Sequence, residues 1–415
     1  MGTPKLVHVV GGGTRQYIDG SHLYLGSKAM GNTARRIAEL CREHGSVMDV
    51  ELTLTAMAGG DSALDSNQDL AQLVNRLVAD DRTKIVFWTP SVLDFELLTE
   101  RSEGRMKTSD GERPATLRPT RKLLEEFRHG SHGRKDIFLV ACKQTAGASE
   151  ADLYQQALLL LKRSGANLVL ANDALSRVNM IVVPEEGVYS VTTDRDAALR
   201  ELVTIAYLRS HLTFTRSTVV DGEAVPWNST LIPDTLRFVV DHCIKGNAYK
   251  LVNGVTAGHF AVKLSDSEFL TSKRRTNFNQ LHQIGLVKVT TDGPDNVLAY
   301  GSKPSVGGQS QRIVFSEHPG LDCIVHFHCL LREGSEVPVV SQREYECGSH
   351  ECGQNTSRGL GEFTLADGSV IKAVFLDNHG PNIVFQSTVD PVLVIEFIEQ
   401  HFILEEKTGG YQLAV

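Results

Sequence analysis

For its first two hundred residues the chain alternates short apolar runs with amphipathic stretches. "KLVHVV", "KIVFWTP", "DIFLVACK" and "ANLVLAND" are brief, continuous and rich in β-formers, the pattern of strands covered on both faces. Between them "NTARRIAELCREHG" and "EADLYQQALLLLKRSG" carry apolar positions at helical spacing, the first with Asn32 placed to cap it and Gly45 to end it. Strands alternating with helices predict an α/β fold, a mostly parallel sheet with helices on both faces. In such a sheet the ligand crevice lies at the carboxyl ends of the strands. The spacing sends Gly11, Gly12, Gly13, Thr14, Asp94, Asn172 and Asp173 there. A glycine-rich turn can bind phosphate through free N–H groups, and it can equally serve packing alone.

At 214–230, "FTRSTVVDGEAVPWNST", the periodicity gives way to Thr, Ser, Gly, Asp and Pro, so this stretch is expected to be a linker between a first domain, 1–213, and a second, 231–415. Within the second, "IVHFHC" sets His326 and His328 one residue apart at the end of an apolar run. On a strand both project from one face, about 6 to 7 Å apart. Two imidazoles so placed can grip one metal ion, and a third ligand completes a site that keeps a position open for substrate or water. His379, at the end of "KAVFLDNHG", is the candidate. The closing segment "DPVLVIEFIEQHFILEE" reads as one long helix, with Asp390 as its N-cap and Pro391 in the first turn, packing on the sheet and a neighbouring subunit.

Composition narrows the class. A chain of 415 residues, 41% hydrophobic with formal net charge -8, has no apolar run near the roughly 18 residues of a membrane span. Its start, "MGTPKLVHVVGGG", lacks the length and cleavage site of a signal peptide. The expected compartment is the cytoplasm. Seven scattered cysteines fit reduced thiols better than a disulfide framework; Cys347 and Cys352 are too far apart for the usual structural zinc pair. Mild acidity without long basic runs argues against nucleic acid as a partner.

Motif order adds two resemblances. "GGGTRQYIDG", "SKAMGNTARRIAE", "TPSVLDF" and "GANLVLANDA" resemble, in sequence order, the phosphopantothenoylcysteine synthetase domain of the DNA/pantothenate metabolism flavoproteins. The resemblance covers most of residues 5 to 210. It implies a Rossmann-like fold, a dimer and a site for a nucleoside triphosphate, CTP or ATP, that activates a carboxylate before cysteine attacks. Lys28 falls in the segment that handles the activated intermediate, yet "LYLGSKAMG" offers Gly26, Ser27 and Lys28 without the family's Asn. That departure argues against ligase chemistry. Lys107, Arg113, Arg118, Arg121 and Lys122 are further candidates for phosphate, in a segment that also reads as a solvated loop.

"YKLVNGVTAGHFAVKLSD", "FLTSKRRTNFNQL", "KPSVGGQSQRIVFSEHPGLDCIVHFHC", "EYECGSHECG" and "LDNHGPNIVF" are similar to the class II aldolase/adducin family over nearly all of residues 232 to 405. Non-catalytic adducins lack the histidine set, so its retention implies a divalent ion, zinc, at His326, His328 and His379. In the family that metal holds the hydroxyl and carbonyl oxygens of a ketose phosphate and acts as a Lewis acid in carbon–carbon cleavage. The resemblance further implies a proton-donating tyrosine from a neighbouring subunit, matched by Tyr345. It implies phosphate contacts at Asn253, Gly254, Thr256, Gly258, Thr271, Ser272 and Ser305.

Three positions depart from the family. Gly258-His259 replaces Gly-Asn, Thr271-Ser272-Lys273-Arg274 replaces a Thr-Pro-Ser-Gly turn, and the acid/base glutamate aligns with Gly307. Glu351 or His350 is the expected substitute acid/base. Lys273, Arg274 and Arg275 suggest a more anionic ligand than a simple sugar phosphate.

The expectation is a cytoplasmic homo-oligomer, dimer or tetramer, in which a synthetase-like nucleotide-binding domain is fused to a class II aldolase-like α/β/α domain. It would act as a metal-dependent lyase on an anionic small molecule, with neither nucleic acid nor membrane as partner. The alternatives are an amide-forming ligase and a non-catalytic binding scaffold.

Overall fold

The computed structural model describes residues 4–20, 22–98, 104–129, 134–305 and 308–411. The chain divides into two compact units, one of Met1–Val183 with Tyr189–Ser210, the other of Pro184–Val188 with His211–Val415. Among the described residues no helix is long and apolar enough to cross a membrane.

The main elements of the first unit are β1 (Leu6–Gly11), α1 (Asn32–Glu43), β2 (Asp49–Leu54), α2 (Asn67–Ala79), β3 (Thr83–Trp88), β4 (Phe138–Thr145), α3 (Glu150–Ser164), β5 (Leu168–Asp173), β6 (Asn179–Val182), β7 (Val188–Thr192) and α4 (Arg195–Ser210). They form a seven-stranded sheet in the order β7-β6-β5-β4-β3-β1-β2, parallel from β5 through β2 and antiparallel where β6 meets β5. Strand β1 is buried along its whole length, because helices cover both faces of a parallel sheet. Local signals fix the helix ends. Ser66 and Asp69 form a reciprocal capping box on α2, and Ser149 caps α3, which Gly165 ends in the left-handed conformation. Asn32 is not the cap of α1. Gly31, at φ 73°, holds that position and Asn32 is the first helical residue, since the left-handed entry favours glycine.

The second unit contains β8 (Arg216–Val220), α5 (Asp234–Lys245), β9 (His259–Lys263), β10 (Glu268–Ser272), β11 (Leu286–Thr291), β12 (Asn296–Tyr300), α6 (Gly308–Glu317), β13 (Cys323–His326), β14 (Cys329–Leu331), α7 (His350–Gly359), β15 (Gly361–Thr364), β16 (Val370–Leu376), β17 (Gly380–Phe385), α8 (Pro391–His401) and β18 (Phe402–Lys407). Its main sheet runs β8-β12-β11-β10-β9-β13-β17-β16 and ends on the two-residue strand Val339–Val340, with β15 also paired to β16. The central pairings are antiparallel. One face packs on a core around Trp227, Phe260 and Phe327, the other around Phe269, Phe315 and Ile324.

Two expectations change. Residues 214–230 hold β8, which runs parallel to β12, and Trp227, which is 1% exposed in the core. The β-formers of "TRSTVV" pair there despite the polar residues that read as a linker. The last segment is not one helix. Asp390 caps α8 as expected, accepting from the Val392 N–H, but the helix stops at His401 and Phe402–Lys407 becomes a strand on β14. Its aromatic and β-branched residues find a ladder partner that a helix would deny them.

Candidate metal centre

The second unit brings its histidines together by register. On β13, His326 lies opposite His259 of β9 on one side and Asn382 of β17 on the other. The ladder ends there: His328 sits in the two-residue step before the chain re-pairs as β14, so the pair does not share a regular strand. His379 closes the turn between β16 and β17. Glycines make this close passage possible. A Cβ on Gly380, at φ 139°, would stand 2.1 Å from the Phe327 carbonyl, and one on Gly258, at φ 108°, would stand 2.5 Å from that of His326.

One nitrogen from each of His326, His328 and His379 lies within 4.8 Å of the others, and all three residues are buried. Nε2 of His326 is 3.1 Å from Nε2 of His379. Nδ1 of His326 lies 2.7 Å from the Pro381 carbonyl, which can only accept, so that nitrogen carries the proton and Nε2 keeps its lone pair. Burial first, then the neighbouring His379, His259 and His328, push His326 well below its ordinary pKa. His326 is therefore neutral at pH 7, the form that ligates a metal. These donors fit a divalent ion that prefers imidazole, zinc foremost.

A fourth histidine joins the cluster without having been singled out as a ligand. The His259 ring lies 4.8 Å from that of His326 and is pushed down to about 3, first by burial and then by His328. Its Nδ1 is 2.7 Å from Nε2 of Gln311. Glu186 was missed altogether: its carboxylate lies 3.5 Å from Nδ1 of His328. Nothing in the sequence pairs a glutamate with a histidine so far along the chain.

The other expected residues divide. Ser272 donates to Ser305 at 3.2 Å, with Lys273 beside them, so three of the phosphate candidates meet. Thr256 and Thr271 spend their hydroxyls on the carbonyls of Thr276 and Phe260. Asn253 and Gly254, both in left-handed backbone, form the turn of the small hairpin Leu251–Thr256. Glu351 binds the N–H and hydroxyl of Thr213, and His350 binds the hydroxyl of Thr215, so neither side chain is turned to the histidines. Tyr345 packs beside Cys352, Val374 and Leu376. Gly307 lies outside the described residues. Among the described residues none of the seven cysteines is in a disulfide.

In the first unit, the strand order reverses at β1, between β2 and β3, and the loops after β1 and β3 meet there. Gly13 bridges Ser91, the Thr14 hydroxyl donates to Asn67 at 2.7 Å and accepts from the Leu93 N–H at 3.0 Å, and Ser27 touches Ser91. The glycine run does not open a helix. A Cβ on Gly13 would fall 1.8 Å from the Ser27 carbonyl, so the glycines admit the segment carrying Lys28. Asp94 pairs with Lys122, while Arg118 pairs with Glu96 and Arg121 with Glu126. Asn172 and Asp173 end β5. Asp173 accepts N–H bonds from Ser176, Ala148 and Leu175 and a hydroxyl bond from Thr145, which hold its carboxyl well below the usual range.

Comparison with known proteins agrees with this division. Residues 239–402 match the Class II Aldolase and Adducin N-terminal domain. The second unit carries a class II aldolase/adducin domain. The first matches a phosphopantothenoylcysteine synthetase-like region: a curated relative, the Coenzyme A biosynthesis bifunctional protein CoaBC of Thermococcus kodakarensis, is 25% identical over 173 residues, 40% of this chain and 41% of that protein. The chain thus spans about two fifths of the curated relative's length. Among solved structures, the DNA/Pantothenate Metabolism Flavoprotein from Streptococcus pneumoniae is 18% identical at TM-score 0.41, covering 49% of this chain and all of that one. An L-fuculose 1-phosphate aldolase is 19% identical at TM-score 0.30, covering 41% and 85%.

Proposed function

We propose that the second unit is a zinc-dependent lyase that makes or breaks a carbon–carbon bond, or carries out a related enolisation or decarboxylation, on a phosphorylated or nucleotide-linked small molecule. The observation that carries this reading is the convergence of His326, His328 and His379 around one point, with the Nε2 lone pair of His326 held free by the Pro381 carbonyl. These three residues would hold the ion. Bound there, it would supply Lewis-acid polarisation of a substrate carbonyl. The chain's own residues do the rest. The Ser272–Ser305 pair and Lys273 offer hydroxyls and a cation to an anionic group, and the apolar packing behind the histidines excludes water. The matched domain family is described by its class II aldolases, which favours aldol chemistry over other uses of a three-histidine site.

The test is a panel of phosphorylated ketoses and aldol acceptors assayed with the zinc-loaded protein and after chelation. Turnover that chelation abolishes and zinc restores supports the reading; no turnover by metal-loaded protein across the panel overturns it.

A second reading concerns the first unit, a nucleoside-triphosphate site of the synthetase type for CTP or ATP. The observation favouring it is the meeting of Gly13, Thr14, Ser27 and Ser91 where the strand order reverses, the place such sheets bind ligands. Pyrophosphate release on adding cysteine and an acyl substrate with CTP or ATP would support ligase chemistry there, and nucleotide binding without release would leave only a binding role.

A further inference from the structure

The second unit includes a short piece of chain remote in sequence from the rest of it, Pro184–Val188. Two acidic residues of this piece are almost completely buried, Glu185 at 0% and Glu186 at 1% exposure. Glu185 accepts the Cys347 N–H at 2.6 Å, which pins the turn. Gly187 has no room for a side chain, since a Cβ would stand 2.2 Å from the carbonyl of Asn378, the residue before His379. Glu186 itself adopts φ 68°, a left-handed conformation that is strained for a non-glycine residue.

A buried, strained acid needs compensation, and its surroundings show where it comes from. Oε2 of Glu186 lies 3.1 Å from the buried ammonium of Lys407 and 3.5 Å from Nδ1 of His328. Lys407 also reaches the carbonyls of Glu186 and Thr408, each at 3.3 Å. The Thr408 hydroxyl lies 2.7 Å from the His379 carbonyl and 3.2 Å from that of Cys329. The acid thus sits in a buried network that touches two of the three histidines, one through its ring and one through its backbone.

Imidazole ligands to a metal are commonly oriented by a carboxylate on the second ring nitrogen, which fixes the tautomer and raises ligand basicity. We infer that Glu186, held by Lys407, is the carboxylate that positions His328, accepting its Nδ1–H and leaving Nε2 for the ion. This rests on the metal reading above and deepens it. Glu186 is a positioning residue, and it stands outside the segment matched to the aldolase family. Lys407 has a distinct part, holding the carboxylate in place beside His328 by opposite charge at 3.1 Å.

The experiment is zinc affinity by chelator competition on the full chain, with circular dichroism and thermal unfolding of the zinc-free proteins as the check on folding. Glu186→Gln should weaken zinc binding about 10- to 100-fold, the usual effect of losing such a partner. Glu186→Asp, which keeps the carboxylate, should recover part of the loss. Glu186→Gln with Lys407→Met removes both buried charges and should show the same weakening, so an unstable single variant does not decide the matter. A folded Glu186→Gln, or the double variant, that binds zinc within about twofold of the wild type overturns the inference while leaving the metal reading standing. Wild-type protein that binds no zinc overturns both. In the zinc-loaded wild type, NMR of labelled imidazoles should find His328 protonated at Nδ1; protonation at Nε2 instead overturns the assignment without any variant.

Discussion

Nε2 of His326 and Nε2 of His379 face each other across 3.1 Å, although 53 residues separate them. Two ring nitrogens at that distance share one proton at most, and a cation bound by both would satisfy both lone pairs. Purified protein should therefore carry about one zinc per chain by elemental analysis, as expected of one three-histidine site. His379→Ala should lose it, weakening zinc affinity by more than the roughly 100-fold upper effect of removing a supporting residue. Equal zinc content in the variant and the wild type would sink this prediction.

Gly380 is expected to be irreplaceable by alanine. The added Cβ would meet the Phe327 carbonyl at 2.1 Å in backbone at φ 139°. Gly368, at φ 84° with nothing within 4 Å of its would-be Cβ, is the control that pays backbone strain without the clash. Urea unfolding should show Gly380→Ala destabilised by at least about 1 to 3 kcal/mol more than Gly368→Ala. Zinc affinity should fall only in the first, because the clash displaces the turn that holds His379.

The first unit should lose stability in acid through His8. Burial lowers its pKa below the ordinary 6.5, outweighing the half-exposed Glu51 at 3.3 Å. The unfolded chain therefore binds the proton first as the pH drops below 6.5, and the folded state is penalised until the folded pKa is reached. One such group changes stability by at most about 1.4 kcal/mol per pH unit. Thermal unfolding of His8→Gln should depend less on pH than that of the wild type between roughly pH 6.5 and 5, with no difference between them in slope above neutrality. Parallel profiles through the acid range would show that His8 contributes nothing.

Nucleotide binding by the first unit can be read by thermal shift with CTP and with ATP. Ligand at about 100 times its dissociation constant should stabilise the unit by about 2.7 kcal/mol. Lys28 is exposed on the segment that the Gly13 turn admits, so Lys28→Ala should weaken the shift without altering the unfolding of the ligand-free protein. A shift that survives the substitution unchanged would remove Lys28 from the site.

The sequence by itself determined much of this protein. The continuous apolar strands and capped helices of the first unit are local signals, and the parallel order follows from strands alternating with helices. Spacing and the ends of apolar runs made His326, His328 and His379 candidates, and it was the resemblance to the class II aldolase/adducin family that made them a set. Where the reading failed, a long-range partner prevailed over local pattern. "TRSTVV" became β8 because β12 offers a ladder, and Phe402–Lys407 left its helix for β14. Glu351 looked like a spare acid in a loop, yet it is bound to Thr213, 138 residues away in sequence. Tertiary structure alone brought Glu186 to His328 and Lys407, since burial of a charge depends on which residues surround it, and no spacing along the chain encodes that.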